Sequence, residues 1–392
     1  RLRPTLDKAA KNIHKERQQR PTFDLPSDAS DITLSDIERY YEIGRVIGDG
    51  NFAVVRECRR RDNRQTLALK IVERSKLLGR EHMMQNELSL LGSLCHPRIV
   101  RLFAHYHTHS HSYLVMELVS GGDLFEAISE RGKFSEAEAG LMVSDMSEAL
   151  NYIHCKSIVH RDLKPENLLV GIMQVAAGIC RLKLGDFGLA MVVTEPVFTI
   201  CGTPTYVAPE ILFETGYGVA VDIWALGVIL YILLCGFPPF RSRDRDQEEL
   251  FQLIKQGQLH FPSPYWDLIS EEARGLVRAL LQPDPTVRLT AEQTLLHPWQ
   301  VFMVACVMTQ THHHFILLAV HSWESILGLS SVCLLHIHKL KISVPRTFYF
   351  SHSKNLPYLL HAIFVTVFIL HILYRACNSF IKTIANCKTV TV

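Results

Sequence analysis

His160-Arg161-Asp162-Leu163-Lys164-Pro165-Glu166-Asn167 is followed, 19 positions after the asparagine, by Asp186-Phe187-Gly188. Together these strings supply a carboxylate to accept a hydroxyl proton (Asp162), a second to hold a divalent cation (Asp186) and an amide oxygen for a further cation (Asn167). Phosphoryl transfer asks a protein for those groups, because it is catalysed by positioning an acceptor in line with a γ-phosphate and neutralising charge on the oxygens. Singly, Asp and Asn at such places read equally well as turn caps. Two adjoining strings in the right order and spacing are far more specific than either alone.

The upstream sequence adds groups in a matching order. An apolar strand start, Tyr41–Val46, leads into Ile47-Gly48-Asp49-Gly50-Asn51-Phe52-Ala53-Val54-Val55. Its two glycines let backbone N–H groups approach phosphate oxygens with no Cβ in the way. Leu67-Ala68-Leu69-Lys70 then reads as a strand ending in lysine, and Glu87 follows 17 positions later in a helical pattern with Met84, Leu88 and Leu91. As an ordinary surface ion pair, Lys70 and Glu87 would contribute less than about 1 kcal/mol; their order among the other strings favours a functional pair.

In combination these motifs resemble a protein kinase. Ala53 stands where the family has a third glycine, a change a tight loop tolerates. Cys201-Gly202-Thr203-Pro204-Thr205-Tyr206-Val207-Ala208-Pro209-Glu210 resembles the end of an activation segment, and Val221–Gly227 the buried helix that anchors the catalytic loop. Arg288 lies where family members pair an arginine with the glutamate that is Glu210 here. His297-Pro298-Trp299 resembles the domain end in the calcium/calmodulin-dependent group. Within that group Ile47–Val55, Tyr113–Ile128, Cys201–Ile211 and Leu233–Phe240 are most similar to the doublecortin-like kinases. The resemblance covers about residues 40–300.

The resemblance implies an α+β, two-lobed fold. A small lobe (about 41–118) has an antiparallel sheet and one main helix, and a larger, mostly helical lobe spans about 119–299. It implies an ATP- and Mg²⁺-dependent serine/threonine kinase acting on protein substrates. Asp162 orients the acceptor hydroxyl, Lys164 steadies charge on the γ-phosphate, and Asn167 and Asp186 hold Mg²⁺. Lys70, braced by Glu87, grips the α- and β-phosphates. Adenine is expected under Val55 and Ala68 and over Leu169, bonded by the backbone of Glu117 and Val119, with Met116 behind it. A core spine of Leu91, Leu102, His160 and Phe187 accompanies that pocket. Thr199 matches the group's activating site, with Arg161 to grip a phosphate there. Asp123 and Glu166 favour substrates with arginine upstream of the acceptor, although Asp123 reads equally as a ribose ligand; Ile232 stands where some relatives recognise a second arginine.

A chain of 392 residues exceeds what one hydrophobic core usually serves, as two lobes require. Ten cysteines without a Cys-x-x-Cys pair suit reduced thiols in the cytoplasm or nucleus. The net charge of +2 gives no sign of a nucleic-acid partner. Residues 1–40 are basic and then polar, and read as a disordered linker. They contain nothing like a tubulin-binding module, so microtubule binding does not carry over. Starting at Arg1 rather than Met, with no signal peptide evident, the chain reads as a fragment or an incomplete gene model.

Residues 300–392 form an apolar tail, and from 301 onwards it holds one acidic residue (Glu324) and seven Lys or Arg. No basic amphipathic helix of the kind calmodulin binds stands out in it. Leu356–Tyr374 is an uncharged run of 19 residues, long enough to span a bilayer. The scarcity of Asp and Glu favours translated non-coding sequence, in which the His312-His313-His314 run is incidental; a membrane tail and a packed extension remain alternatives. Two other functions compete with catalysis, a catalytically weak scaffold and a membrane-anchored interaction protein. The presence of Lys70, Glu87, Asp162, Asn167 and Asp186 opposes the first, and the second depends on the tail.

Overall fold

The structure is a computed structural model that describes residues 32–50, 53–77, 79, 81–172 and 180–307. Its small lobe is built on five antiparallel strands, β1 (Tyr41–Asp49), β2 (Ala53–Arg60), β3 (Thr66–Glu73), β4 (Leu102–His107) and β5 (His111–Glu117), in the order β1-β2-β3-β5-β4. The two-residue alternation of β3 decides where the site lies. Leu67, Leu69 and Ile71 face one core, with Tyr41, Cys58, Tyr106 and Val115. Ala68 and Val72 face the other, beneath helix α2 (Glu81–Ser93), where Met84, Leu88 and Leu91 are buried as their spacing predicts. Lys70 shares the second face and so points at that helix.

The first core is closed by helix α1 (Leu34–Tyr40), which overturns part of the expected linker. Ile37 is fully enclosed and Ile32 is buried beside it. Thr33 and Asp36 form a reciprocal capping box that starts the helix. The ordered lobe therefore begins by residue 32; residues 1–31 lie outside the described residues.

The large lobe packs around α6 (Ala220–Cys235), preceded in the chain by α3 (Leu124–Arg131), α4 (Glu136–His154) and the short α5 (Pro209–Leu212). Every residue of α6 from Val221 to Cys235 is buried, and apart from Asp222 the helix is apolar nearly all round, as a central helix must be. Helices α7 (Gln247–Gln256), α8 (Glu271–Leu280) and α9 (Ala291–Leu296) follow. Two two-stranded antiparallel sheets frame the site: β7 (Leu168–Ile172) with β8 (Cys180–Leu184), and β6 (Ile158–Val159) with β9 (Met191–Val192). They hold the loop of Asp162 against the turn of Asp186.

Helical structure continues over 298–307, past the expected domain end at 299. Gln300 Nε2 donates to the Gly140 carbonyl at 2.6 Å, and Met303 packs on α4 where Gly140 has no side chain. Residues 300–307 are thus part of the packed body, which corrects the tail boundary. The run 356–374 and the triple histidine lie outside the described residues. No helix among the described residues is long and apolar enough to cross a membrane.

Candidate active site

Strand β3 delivers Lys70 and helix α2 delivers Glu87, 2.9 Å apart, with Asp186 3.4 Å from the same ammonium. Burial alone would favour the neutral amine, but the carboxylates of Glu87 and Asp186 outweigh it and hold the Lys70 ammonium above its ordinary range. Burial likewise opposes charge on Asp186, whose carboxyl is nevertheless held below the usual range by Lys70 and more weakly by His160.

Asp162 sits in a compact polar group. Thr203 Oγ1 donates to its Oδ1 at 2.8 Å, and Lys164 Nζ lies 2.7 Å from its Oδ2 and 3.2 Å from Thr203 Oγ1. Asn167 Nδ2 donates to the Asp162 carbonyl at 2.8 Å and approaches Oδ2 at 3.3 Å, which leaves the Asn167 amide oxygen for a cation. The loop is anchored from below by Asp222 on α6. Its carboxylate accepts the amides of His160 (2.9 Å) and Arg161 (3.0 Å) and lies 2.8 Å from His154 Nε2. Burial opposes the charge of Asp222, but the hydrogen bond from His154, the charges of His154 and His160 and the His160 amide keep its carboxyl below the usual range. Arg161 (φ 69°) and Asp186 (φ 51°) both adopt left-handed backbone, a strained arrangement that concentrates at functional sites.

The expected adenine pocket assembles at the sheet edge. Ala68 pairs with Met116 and Val55 with Lys70, and Val55, Ala68, Met116, Val119 and Leu169 pack in one core. The Glu117 amide is bonded to the Arg101 carbonyl at 2.9 Å, so of the Glu117 backbone it is the carbonyl that the expected ring contact would have to use. Val119 has no backbone hydrogen-bond partner among the described residues. Ile47, Gly48 and Asp49 end β1 and Ala53, Val54 and Val55 begin β2, with Gly48 opposite Val55 and the Gly50 N–H donating to the Ala53 carbonyl at 2.9 Å. Asn51 and Phe52 lie outside the described residues. Among the described residues beyond their chain neighbours, a Cβ added at Gly48 or Gly50 would meet no atom closer than 3.5 Å.

Leu91, His160 and Phe187 are buried, with Leu102 packed against the same core, and the His160 and Phe187 rings meet edge-on at 5.0 Å. Arg288 grips Glu210 through both oxygens, at 2.6 and 2.9 Å, as anticipated. Asp123 caps α3, its Oδ1 accepting from Glu126 N at 2.8 Å, while Glu166 is exposed and Ile232 buried. Thr199 is exposed; its carbonyl accepts from Tyr217, whose hydroxyl also takes Arg161 Nη1 at 3.4 Å.

Sequence reasoning missed three polar partners. Tyr217 joins Arg161 to Thr199; Lys183 on β8 bonds Glu117 at 2.7 Å; Asn86 holds Ala190. No contiguous string encodes them, since each pairs with a residue 18 or more positions away.

The fold and this arrangement define a protein kinase domain, and the chain belongs to that family, whose model matches residues 41–300. Protein kinase domains in general use ATP and Mg²⁺. Among particular proteins, the chain is 55% identical over 289 residues to the serine/threonine-protein kinase DCLK3 of Mus musculus, covering 74% of this chain and 36% of that one. It is 56% identical over 283 residues to DCLK3 of Homo sapiens, covering 72% and 43%. DCLK1 of Rattus norvegicus is 55% identical over 263 residues, covering 67% and 60%. The chain thus spans from about a third to three fifths of these relatives' lengths.

Proposed function

We propose that this chain is an ATP-dependent serine/threonine protein kinase. The observation that carries the reading is the joint placement of two intact groups: Lys70–Glu87–Asp186 within 3.4 Å, and Asp162–Lys164–Thr203 within 3.2 Å. The donor set also fits the expected cofactors. Mg²⁺ prefers one or two protein oxygens supplemented by phosphate and water, and the carboxylate of Asp186 with the free amide oxygen of Asn167 matches that demand. When bound, Mg·ATP supplies the transferable phosphoryl group and the cations that neutralise it.

The residues then divide the work. Asp162 receives the acceptor hydroxyl and orients it, with Lys164 and Thr203 fixing its two oxygens. Lys164, half-buried beside it, is placed to offset negative charge on the transferring group. Lys70, locked by Glu87, presents a permanent cation to the α- and β-phosphates. Val55, Ala68 and Leu169 enclose the base, and the carbonyl of Glu117 and the backbone of Val119 orient it. Glu166, and Asp123 through its second oxygen, offer charge to an arginine upstream of the acceptor, a pairing of about 1.5–3 kcal/mol if partly desolvated. A phosphate on exposed Thr199 would draw Arg161 from Tyr217 and so act on the loop that carries Asp162. Transfer from ATP to Ser, Thr and Tyr peptides, with and without arginine three residues upstream, tests the reading. Expected are Ser/Thr transfer, an arginine preference, and loss by at least about 100-fold in Asp162→Asn. Equal rates for the wild type and this variant would refute the role of Asp162.

A further inference from the structure

Asn86 has no part in the scheme above, yet it makes a hydrogen bond between lobes just beyond Asp186-Phe187-Gly188. It lies half-buried on α2, next to Glu87, and its Nδ2 donates to the Ala190 carbonyl at 2.5 Å. Ala190 is fully buried, and its amide closes a turn on the Phe187 carbonyl at 3.1 Å. The preceding carbonyl, of Leu189, accepts from Arg161 Nε at 2.6 Å. Two consecutive carbonyls are therefore held from opposite lobes, one by the catalytic loop and the other by the helix that carries Glu87.

The neighbouring Lys70–Glu87 pair is a looser tie. Its two long side chains have seven rotatable torsions between them and follow a shifting helix by changing rotamer. Asn86 has two torsions and reaches a fixed peptide, so its bond survives only while the α2 backbone stays near the segment. Gly188 underlines that closeness: a Cβ there would sit 3.4 Å from Asp186 Oδ1 and 3.8 Å from Glu87 Oε2.

We infer that Asn86 is a positioning residue that couples the placement of α2 to the turn carrying Asp186. Without its donor, the buried Ala190 carbonyl loses its partner, and the two elements stay linked only through the longer Lys70–Glu87 and Lys70–Asp186 contacts. The kinetic consequence rests on the kinase reading; the structural consequence does not.

The test compares full-length wild type, Asn86→Ala and Asn86→Leu. Leu keeps most of the volume and removes the donor. Hydrogen exchange without nucleotide should quicken in residues 186–192 and in α2 for both variants. Turnover at saturating ATP and peptide should fall about 5- to 30-fold in both, the order set by orphaning a buried carbonyl, with the peptide KM unchanged. If Leu matches wild type in exchange and turnover, Asn86 acts only by packing and the inference is overturned. A uniform rise in exchange across the small lobe would mark a folding defect and overturn it too. Faster exchange confined to these two segments, with no transfer even by wild type, would sustain the coupling and refute the kinase reading instead.

Discussion

Asp222→Asn keeps the shape of a fully buried side chain and removes its charge, so it isolates what this carboxylate does for the catalytic loop. Asp222 accepts from His154, His160 N and Arg161 N at 2.8 to 3.0 Å. An asparagine offers one acceptor oxygen, so its NH₂ group must face at least one of these donors. Orphaning a buried amide costs about 1–3 kcal/mol, and the remaining bonds lose their charge assistance at about 1 kcal/mol each. The total is about 3–5 kcal/mol, the usual result of breaking a buried charged network. For a body of this size that is roughly 6–15 °C in Tm. Part of the loss falls on function, because the Arg161 amide bond helps hold that residue at φ 69°, a conformation costing about 1–3 kcal/mol. Released, the backbone relaxes and carries Asp162 with it, so turnover should fall at least about tenfold. Scanning fluorimetry and peptide phosphorylation, run well below the variant's Tm, measure the two effects. Leu276→Ala, which empties a fully buried site on α8, is the control: it should cost about 2–5 kcal/mol with turnover intact. An Asp222→Asn protein that melts as expected but turns over like wild type would refute the link between anchor and catalysis.

Three further outcomes follow from the packing and charges. Ile37→Ala should destabilise the small lobe by about 2 kcal/mol in urea unfolding, the low end for such a truncation because a seven-residue helix can undock rather than leave a void; no change would mean α1 is not docked. Gly140→Ala would place a Cβ 2.4 Å from that of Met303, so 300–307 should become protease-sensitive while peptide phosphorylation persists. Asp186 and Asp222 are both held below the ordinary carboxylate value of about 3.9. Their contribution is therefore complete above that value and lost as pH falls through the lower folded value. The acid limb of a Tm–pH curve should thus begin below about pH 4 and be shallower in Asp222→Asn; an equal slope would show that Asp222 is not depressed.

The catalytic centre was legible because its chemistry is contiguous: the eight residues from His160 to Asn167 and the three from Asp186 carry their identity in spacing alone. The sheet was legible only through the family resemblance, since Leu67-Ala68-Leu69 is apolar without alternation although its residues face two different cores. Both edges of the body were misjudged for one physical reason, that averaged composition hides short elements. Thr33-Leu34-Ser35-Asp36 is a capping-box sequence and Trp299, Met303 and Val307 recur at helical spacing, yet each signal was diluted by its polar or apolar surroundings. The tie of Asn86 to Ala190 spans 104 positions, and no local pattern announces a pair that the folded chain brings together.

Three aspartates around the catalytic loop show why residue type alone did not settle their tasks. Asp222 is enclosed and saturated by donors, two of them backbone amides, so its charge fixes conformation and has nothing left for a ligand. Asp186 shares one ammonium with Glu87, and its side chain remains 51% exposed, so it is ionised, positioned and open to a cation. Asp162 lies between these extremes at 13% exposure, its oxygens engaged by side chains only, Thr203 on Oδ1 and Lys164 and Asn167 on Oδ2. The roles proposed for them, anchor, cation ligand and proton acceptor, would thus be separated by solvent access and by whether their partners are backbone amides or side chains. A carboxylate bonded to backbone amides sets the backbone, and under the proposed scheme one held by side chains alone is the one left for chemistry.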